Sequence, residues 1–366
     1  MHYNWQYPAW PHFEYDLSGV QATLYNYARE SSVIMAALDQ FPENYKQEAL
    51  LELMVSEAIS TAAIEGEFYS QIDVRSSIRN QLGMNKIQEP VHDPRAIGVA
   101  DLLLLSRQNL EMPLTQEMLW QWHDALIADP YQRSTLQVGG WRLDPEPMQI
   151  VSGVIGRQRI HFGAPPTLEV PQEMKYFLDW FNKSHHLQAP VRAAIAHIYF
   201  ESIHPFADGN GRIGRAISER ILSQEFGAPI LFSLSSQIMK NKKAYYQQLA
   251  EASQYSLNIT SWVTYFCRLI LEAQLDVKDL IQFTLKKARF WAKYSDLLPP
   301  RQTKVIKRIF DAGKDGFMGG ISAKKYMAIG DCSKATATRD LAQLVEWGCL
   351  YQLEGGGRNT RYDLAI

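Results

Sequence analysis

The twelve residues His204-Pro205-Phe206-Ala207-Asp208-Gly209-Asn210-Gly211-Arg212-Ile213-Gly214-Arg215 decide how the rest of the chain is read. They crowd a titratable base, a carboxylate, glycines, an amide and two guanidiniums into the joint between two helical patterns, Arg192 to Ile203 and Arg212 to Phe226. Gly209 and Gly211 permit backbone geometry closed to other residues, so successive N–H groups can line one concavity at a helix N-terminus. Such a concavity, reinforced by the helix dipole, favours phosphate. Asp208 at its edge can hold Mg2+ against the same phosphates, because magnesium takes one or two carboxylates together with phosphate oxygens and water. Arg212 and Arg215 lie three apart on the new helix and can bracket a polyphosphate with charge-assisted bonds. His204 supplies an imidazole able to take a proton from an attacking hydroxyl. Phe206 reads as the buried anchor of the loop.

Outward from this joint the periodicity stays helical. Apolar residues at Leu51, Met54, Val55, Ala58, Ile59, Ala62 and Ala63 follow the i, i+3, i+4, i+7 pattern of one buried face, and Gly66 is placed to end that helix. The second helix of the joint stops at Gly227-Ala228-Pro229. Met148 to Phe162 departs from the pattern: two β-branched runs flank a glycine-containing turn, which predicts a hairpin. Leu297-Leu298-Pro299-Pro300 breaks the chain again. Beyond it, helical patterns over Gln302 to Ala312 and Ser333 to Trp347 precede an alternating tail, Leu350 to Leu364, that turns at Gly355-Gly356-Gly357. Helix, helix and glycine-tipped hairpin predict a winged helix. The fold class is therefore mainly α, in three parts: an N-terminal helical region at 1–89, a core at 90–290 and a winged-helix domain at 298–366.

At 366 residues with a formal charge of −2, the chain is not a protein that coats nucleic acid over its whole surface. Residues 301–366 are the basic part, with eleven Lys/Arg against seven Asp/Glu. There Ser333, Lys334, Thr336, Thr338 and Arg339 would open a recognition helix, and Arg358 and Arg361 would arm the wing. Cys267, Cys332 and Cys349 form no CxxC pair, so neither a disulfide framework nor a metal knuckle is expected. No stretch approaches the ~20 apolar residues of a membrane span and Met1 to Pro11 has no leader pattern, so the cytoplasm is the expected compartment. A metal-hydrolase reading would use His197, Glu201 and His204 on one helical face. Pro205 speaks against it, because the residue before proline is driven from helical geometry. The doublet His185-His186 lacks a partner at ligand spacing.

HPFADGNGRIGR, residues 204–215, fits the Fic family motif HxFx(D/E)GNGRxxR at every fixed position, and the chain resembles a Fic-type protein adenylyltransferase. By that resemblance His204 is the base, Asp208 the magnesium ligand, and Gly209, Asn210 and Gly211 the anion hole for the phosphates of ATP. Arg212 and Arg215 are the clamps, Arg215 the one meeting the terminal phosphate, and Ile213 and Gly214 complete the nucleotide-site run. Val151, Ser152 and Gly153 resemble the family's flap, an edge strand that aligns a target peptide by main-chain pairing. Tyr245, of the pair Tyr245-Tyr246, resembles its aromatic contact to the nucleotide base, while Ser253 stands where related proteins carry an Asn. Thr61-Ala-Ala-Ile-Glu65-Gly66 is similar to the inhibitory motif (S/T)xxxE(G/N), with Arg215 as the implied partner of Glu65. Trp5-Gln6 and Trp10-Pro11 are similar to the N-terminal segment of some such proteins.

The resemblance implies transfer of AMP from ATP, with Mg2+, to a Ser, Thr or Tyr hydroxyl of a target protein, with self-modification allowed and Glu65 as inhibitor. It also admits de-AMPylation, another donor, or a winged-helix DNA-binding regulator with a nucleotide-sensing core. A homodimer, and contact with DNA or protein through the winged helix, are further partners this reading allows; a membrane is not.

Overall fold

A computed structural model describes residues 2–39, 43–85, 87–152, 159–310, 319–353 and 360–366. Its helices are α1 (Gln21–Asp39), α2 (Glu43–Ile64), α3 (Gln71–Gln81), α4 (Pro94–Ser106), α5 (Gln116–Leu126), α6 (Pro130–Thr135), α7 (Val170–Lys183) and α8 (Ala189–Ile203). They continue with α9 (Asn210–Phe226), α10 (Leu234–Lys240), α11 (Lys242–Ala252), α12 (Thr260–Tyr294), α13 (Pro300–Phe310), α14 (Ala323–Gly330) and α15 (Lys334–Glu346). Two short hairpins complete the chain, β1 (Gln149–Ser152) with β2 (Arg159–Gly163) and β3 (Leu350–Gln352) with β4 (Tyr362–Leu364). The protein is mainly α-helical, as its periodicity predicts. Contacts divide it into two compact units, Met1–Val33 with Gln47–Asp276 and Ile34–Lys46 with Val277–Ile366.

In the first unit α8 and α9 carry the joint. Periodicity predicts one buried face for Arg192 to Ile203, yet all fifteen residues of α8 are buried. Its polar side chains are there because each has somewhere to spend its hydrogen bonds. Arg192 donates to Ser184 Oγ, Gln224 Oε1 and the Phe181 carbonyl, and Ser202 takes a bond from the Asn4 amide at 2.7 Å. The helices α2, α3 and α4 share a core of Leu51, Met54, Val55, Ala58, Val74, Ile78, Val99 and Leu103. Ser70 and Asp93 cap α3 and α4 through side-chain bonds to Asp73 N and Arg95 N. Past the end of α2, Gly66 takes φ +84, a conformation that glycine alone adopts without strain.

The β1–β2 ladder is antiparallel, pairing Gln149 with Gly163 and Ser152 with Arg159, and its register shifts between Ile150 and Val151. The hairpin forms where the β-branched runs place it; Gly153 lies outside the described residues. The N-terminal segment packs against its root, Trp5 Nε1 donating to the Gly163 carbonyl at 2.7 Å and the Tyr3 ring meeting Phe162 edge-on.

The second unit has a core of Phe290, Tyr294, Val305, Ile306, Phe310, Tyr326, Leu341, Leu344 and Leu350 around α13, α14 and α15. The sequence reading contains no α14. Eight residues with two adjacent lysines show too little periodicity to announce a helix, but Ser322 caps it through Lys325 N and Tyr326 anchors it in the core. Ile321 forms an antiparallel bridge to Tyr362 of β4, beside the β3–β4 pair. The expected turn at Gly355–Gly357, and Arg358, lie outside the described residues. Among the described residues no helix is long and apolar enough to cross a membrane.

Candidate active site

At the end of α8 the chain leaves helical geometry through His204, which adopts the left-handed conformation at φ 50, ψ 61. Proline cannot follow a helical residue comfortably, so Pro205 forces the exit at this point. Phe206 is fully buried, stacked on His123 at 4.2 Å and packed against Trp141. Asn210 closes the loop from within: its amide nitrogen donates to the Phe206 carbonyl at 2.8 Å, and its oxygen accepts from the Phe206 N–H at 2.9 Å. Gly209 then starts α9 at φ +80, where a Cβ would also lie 2.8 Å from Leu126 Cδ2. Gly209 has no side chain with which to cap the helix, so the first-turn N–H groups lack the acceptor that a Ser or Asp would supply. An anion is the natural acceptor in such a place.

The end of α2 reaches the same turns. Glu65 Oε1 pairs with Arg215 Nη2 at 2.8 Å. Thr61 supplies two more acceptors, its Oγ1 to Arg215 Nε at 2.8 Å and its carbonyl to Nη2 at 3.1 Å. Gly211 is helical rather than left-handed; its missing Cβ makes room for the Glu65 carboxylate, which a methyl group would overlap. A second carboxylate, not foreseen from the sequence, engages the other arginine: Glu67 Oε2 lies 3.0 Å from Arg212 Nη1, and the Tyr69 hydroxyl bonds to both. The C-terminal end of α2 is itself capped from α11, Lys242 Nζ donating to the Ala63 carbonyl and Tyr246 Oη to that of Ile64. These donors offset the helix dipole that disfavours Glu65 there.

Comparison with known proteins bears on this constellation. Residues 113–222, which span the joint, match the family described as Fic/DOC. Over that stretch the chain is similar to the Fic/DOC family. Residues 3–84 match a domain described only as of unknown function, DUF4172. A probable protein adenylyltransferase of Aquifex aeolicus is 31% identical over 93 residues, covering 25% of this chain and 27% of that one. A protein adenylyltransferase of Caenorhabditis elegans is 29% identical over 145 residues, covering 38% and 27%. The chain thus spans 27% of the length of each of these two curated relatives. In structure, a Fic family protein from Desulfovibrio desulfuricans G20 superposes with a TM-score of 0.57 at 20% identity, over 96% of this chain and 97% of that one. At that identity the likeness establishes the fold.

At the joint, the electrostatics favour a neutral imidazole on His204. His204 has only 12% of its side chain exposed, and burial pushes it down to about 4; the nearby Arg142 charge pushes the same way, against Glu65 and Asp208. Its Nδ1 stands 3.7 Å from Glu201 Oε2 and has no hydrogen-bond partner among the described residues. Glu201 is raised to about 8 by burial, with Glu65 adding to the rise and Arg215 opposing it. Arg215 is almost fully buried; burial alone would lower it, but Glu65, Tyr245 and Glu201 together outweigh that and hold it above its ordinary value.

The structure brings Asp208, Gly209, Asn210, Gly211, Arg212 and Arg215 together with Thr61 and Glu65. Ile213 and Gly214 turn the other way, Ile213 into the core and Gly214 against Phe200 and Glu201. Tyr245 is buried behind α9, where its hydroxyl bonds to His197 Nε2 at 2.7 Å and its ring packs on Trp262. His197, the first residue of the metal-hydrolase face, uses its other nitrogen on Ser218 Oγ, and His204 has left that face. Val151 and Ser152 lie on β1. Glu67, Tyr69, His123 and Arg142 also belong to the site's surroundings. The sequence held no local signal for them, since each is more than sixty residues from its partner on the loop.

Proposed function

We propose that this protein moves AMP from ATP to a hydroxyl side chain of another protein, and that Glu65 holds the resting form in check. The observation that carries the reading is the first turn of α9, where uncapped N–H groups and two buried guanidiniums follow directly on the loop that a neutral imidazole opens. Asp208 fits a magnesium ligand: its Oδ1 accepts from Gly209 N, its side chain is 41% exposed, and one carboxylate with phosphate oxygens is a normal magnesium set. Magnesium bound there would neutralise phosphate charge. The residues do the rest. The nest and Arg212 orient the polyphosphate, and Nε2 of His204 takes the proton as the target oxygen bonds to the α-phosphorus. The bond from that phosphorus to the bridging oxygen breaks, and pyrophosphate leaves. Proton removal contributes roughly 10²–10⁴-fold, with positioning and charge supplying more.

In the resting form the Glu65 carboxylate occupies the Arg215 guanidinium that a terminal phosphate needs, so bound ATP is denied the in-line pose. The test is incubation with α-labelled ATP and Mg2+, alone and with a lysate. Glu65→Gly should label itself and targets more strongly than wild type, and adding His204→Ala should abolish the gain. Label that persists without His204 would remove it as the base, and equal labelling by wild type and Glu65→Gly would remove the lock.

A second reading concerns the C-terminal unit, which we propose to be a winged helix that meets nucleic acid. Lys334, Thr338 and Arg339 are exposed along α15, while the neighbouring acid, Asp340, is buried and neutralised by Arg301 at 2.8 Å. Binding of the full chain to duplex DNA that weakens with salt and is lost in Lys334→Glu/Arg339→Glu would support it. No retardation at low salt would refute it.

A further inference from the structure

We infer that Arg142 is a positioning residue that fastens the loop bearing His204 to the root of the β1–β2 hairpin. The role rests on the transfer reading above and adds a residue that no motif contains. Arg142 is buried, 3% exposed, and no carboxylate pairs with it among the described residues. Its three nitrogens go to three neutral oxygens on two separate segments. Nε donates to the His204 carbonyl at 3.0 Å, Nη1 to Thr167 Oγ1 at 2.6 Å and Nη2 to the Pro165 carbonyl at 2.5 Å. Its own N–H reaches the Pro205 carbonyl at 2.8 Å. Thr167 passes the tie back by donating to the Asp144 carbonyl, two residues beyond Arg142.

The places joined are the ones a two-substrate transfer must hold in register. One is the peptide unit of His204, a residue in the left-handed region that costs strain and persists only where its surroundings fix it. The other is the chain just past β2, which ends at Gly163, while Arg142 lies shortly before β1 begins at Gln149. The guanidinium therefore closes the hairpin at its base and pins the loop to that closure, setting the distance between the base and any strand laid along the hairpin. A buried charge without a counter-charge is a poor way to gain stability. A rigid planar fork able to hold three oxygens at once is a good way to fix geometry, and lysine cannot reproduce it. The charged groups bearing on His204 are Arg142 from this side and Glu65 and Asp208 from the other, with the Glu201 carboxyl 3.7 Å away.

The test uses the full chain in the Glu65→Gly background, with self-labelling from α-labelled ATP measured as a function of ATP concentration. Arg142→Lys should lower the maximal rate roughly 10- to 100-fold, the scale on which small misplacements act. Half-saturating ATP should stay within about twofold, since the nest, Arg212 and Arg215 are untouched. Thr167→Val should give a smaller loss in the same parameter and add nothing on top of Arg142→Lys. An unchanged rate, or a loss shared equally by rate and ATP affinity, overturns the inference. Should the Glu65→Gly parent itself not label, the transfer reading has failed, and amide exchange decides the coupling alone. Arg142→Lys, or Thr167→Val if the first does not fold, should speed exchange over 163–168 and 203–208 together and leave 212–222 protected. Faster exchange in one of the two segments only overturns the coupling.

Discussion

The loop from His204 to Gly209 and the stretch from Thr61 to Tyr69 both rest on the first turns of α9, yet different forces hold them. Arg142 holds the start of the loop, and its turn is fixed from within by neutral, fully buried bonds: Asn210 to both backbone groups of Phe206, with Phe206 sealed between His123 and Trp141. The second stretch is fixed by charge: Glu65 on Arg215 and Glu67 on Arg212, with 30% and 21% of those carboxylate side chains exposed. Neutral buried bonds have no competitor in water or in a ligand. A carboxylate on a guanidinium can be exchanged for a phosphate on the same guanidinium, because the acceptors are chemically alike. On the proposed function, a site of this kind separates a permanent frame from a removable stopper.

Asn210→Ala should break the frame. It strands the buried N–H and carbonyl of Phe206, at roughly 1–3 kcal/mol for each group. A marked fall in the melting temperature is expected, with no labelling even beside Glu65→Gly; a stable and active variant would place the frame elsewhere. Glu65→Gly should remove the stopper and leave the frame alone. A charge-assisted contact of about 1.5–3 kcal/mol corresponds to a rise in labelling of roughly 10- to 100-fold, less whatever solvent screens from this partly exposed carboxylate. Glu67→Gln tests whether the second carboxylate shares the work: the Tyr69 hydroxyl remains on Arg212, so a gain of only about three- to fivefold is expected. A gain equal to that of Glu65→Gly would make the two contacts equivalent.

The frame also responds to pH. Burial above all holds His123 at about 4, His197 at about 3 and His204 at about 4, against 6.5 when unfolded. Between those values the unfolded chain binds protons the folded chain refuses. Stability is therefore complete above pH 6.5 and lost as pH falls towards 4, at no more than about 1.4 kcal/mol per pH unit for each histidine. Glu201, raised from 4.5 to about 8, contributes with the opposite sign: its stability is present below 4.5 and lost as pH rises through 8. Thermal unfolding should show a maximum between these limits, and a midpoint that does not move from pH 7 to pH 5 would contradict the buried, neutral imidazoles.

Local chemistry made the joint legible. Pro205 sets where α8 must end, glycine and asparagine at 209 and 210 set how α9 begins, and the period of the flanking helices sets the fold class, since each depends on residues a few positions apart. The same locality explains the misses: α14 is too short to carry a period, and α8 is buried all round, so its apolar face does not reveal its surroundings. Sequence by itself determined the helices that flank the joint, the loop between them and the identity of the groups able to meet an anion. Tertiary structure decided that Glu67 and Tyr69 reach Arg212, that Tyr245 spends its hydroxyl on His197, and that Arg142 ties His204 to the hairpin. Those pairings join residues from 48 to 145 positions apart, and only the packing of helices fixes which side chains then come within hydrogen-bonding distance of one another.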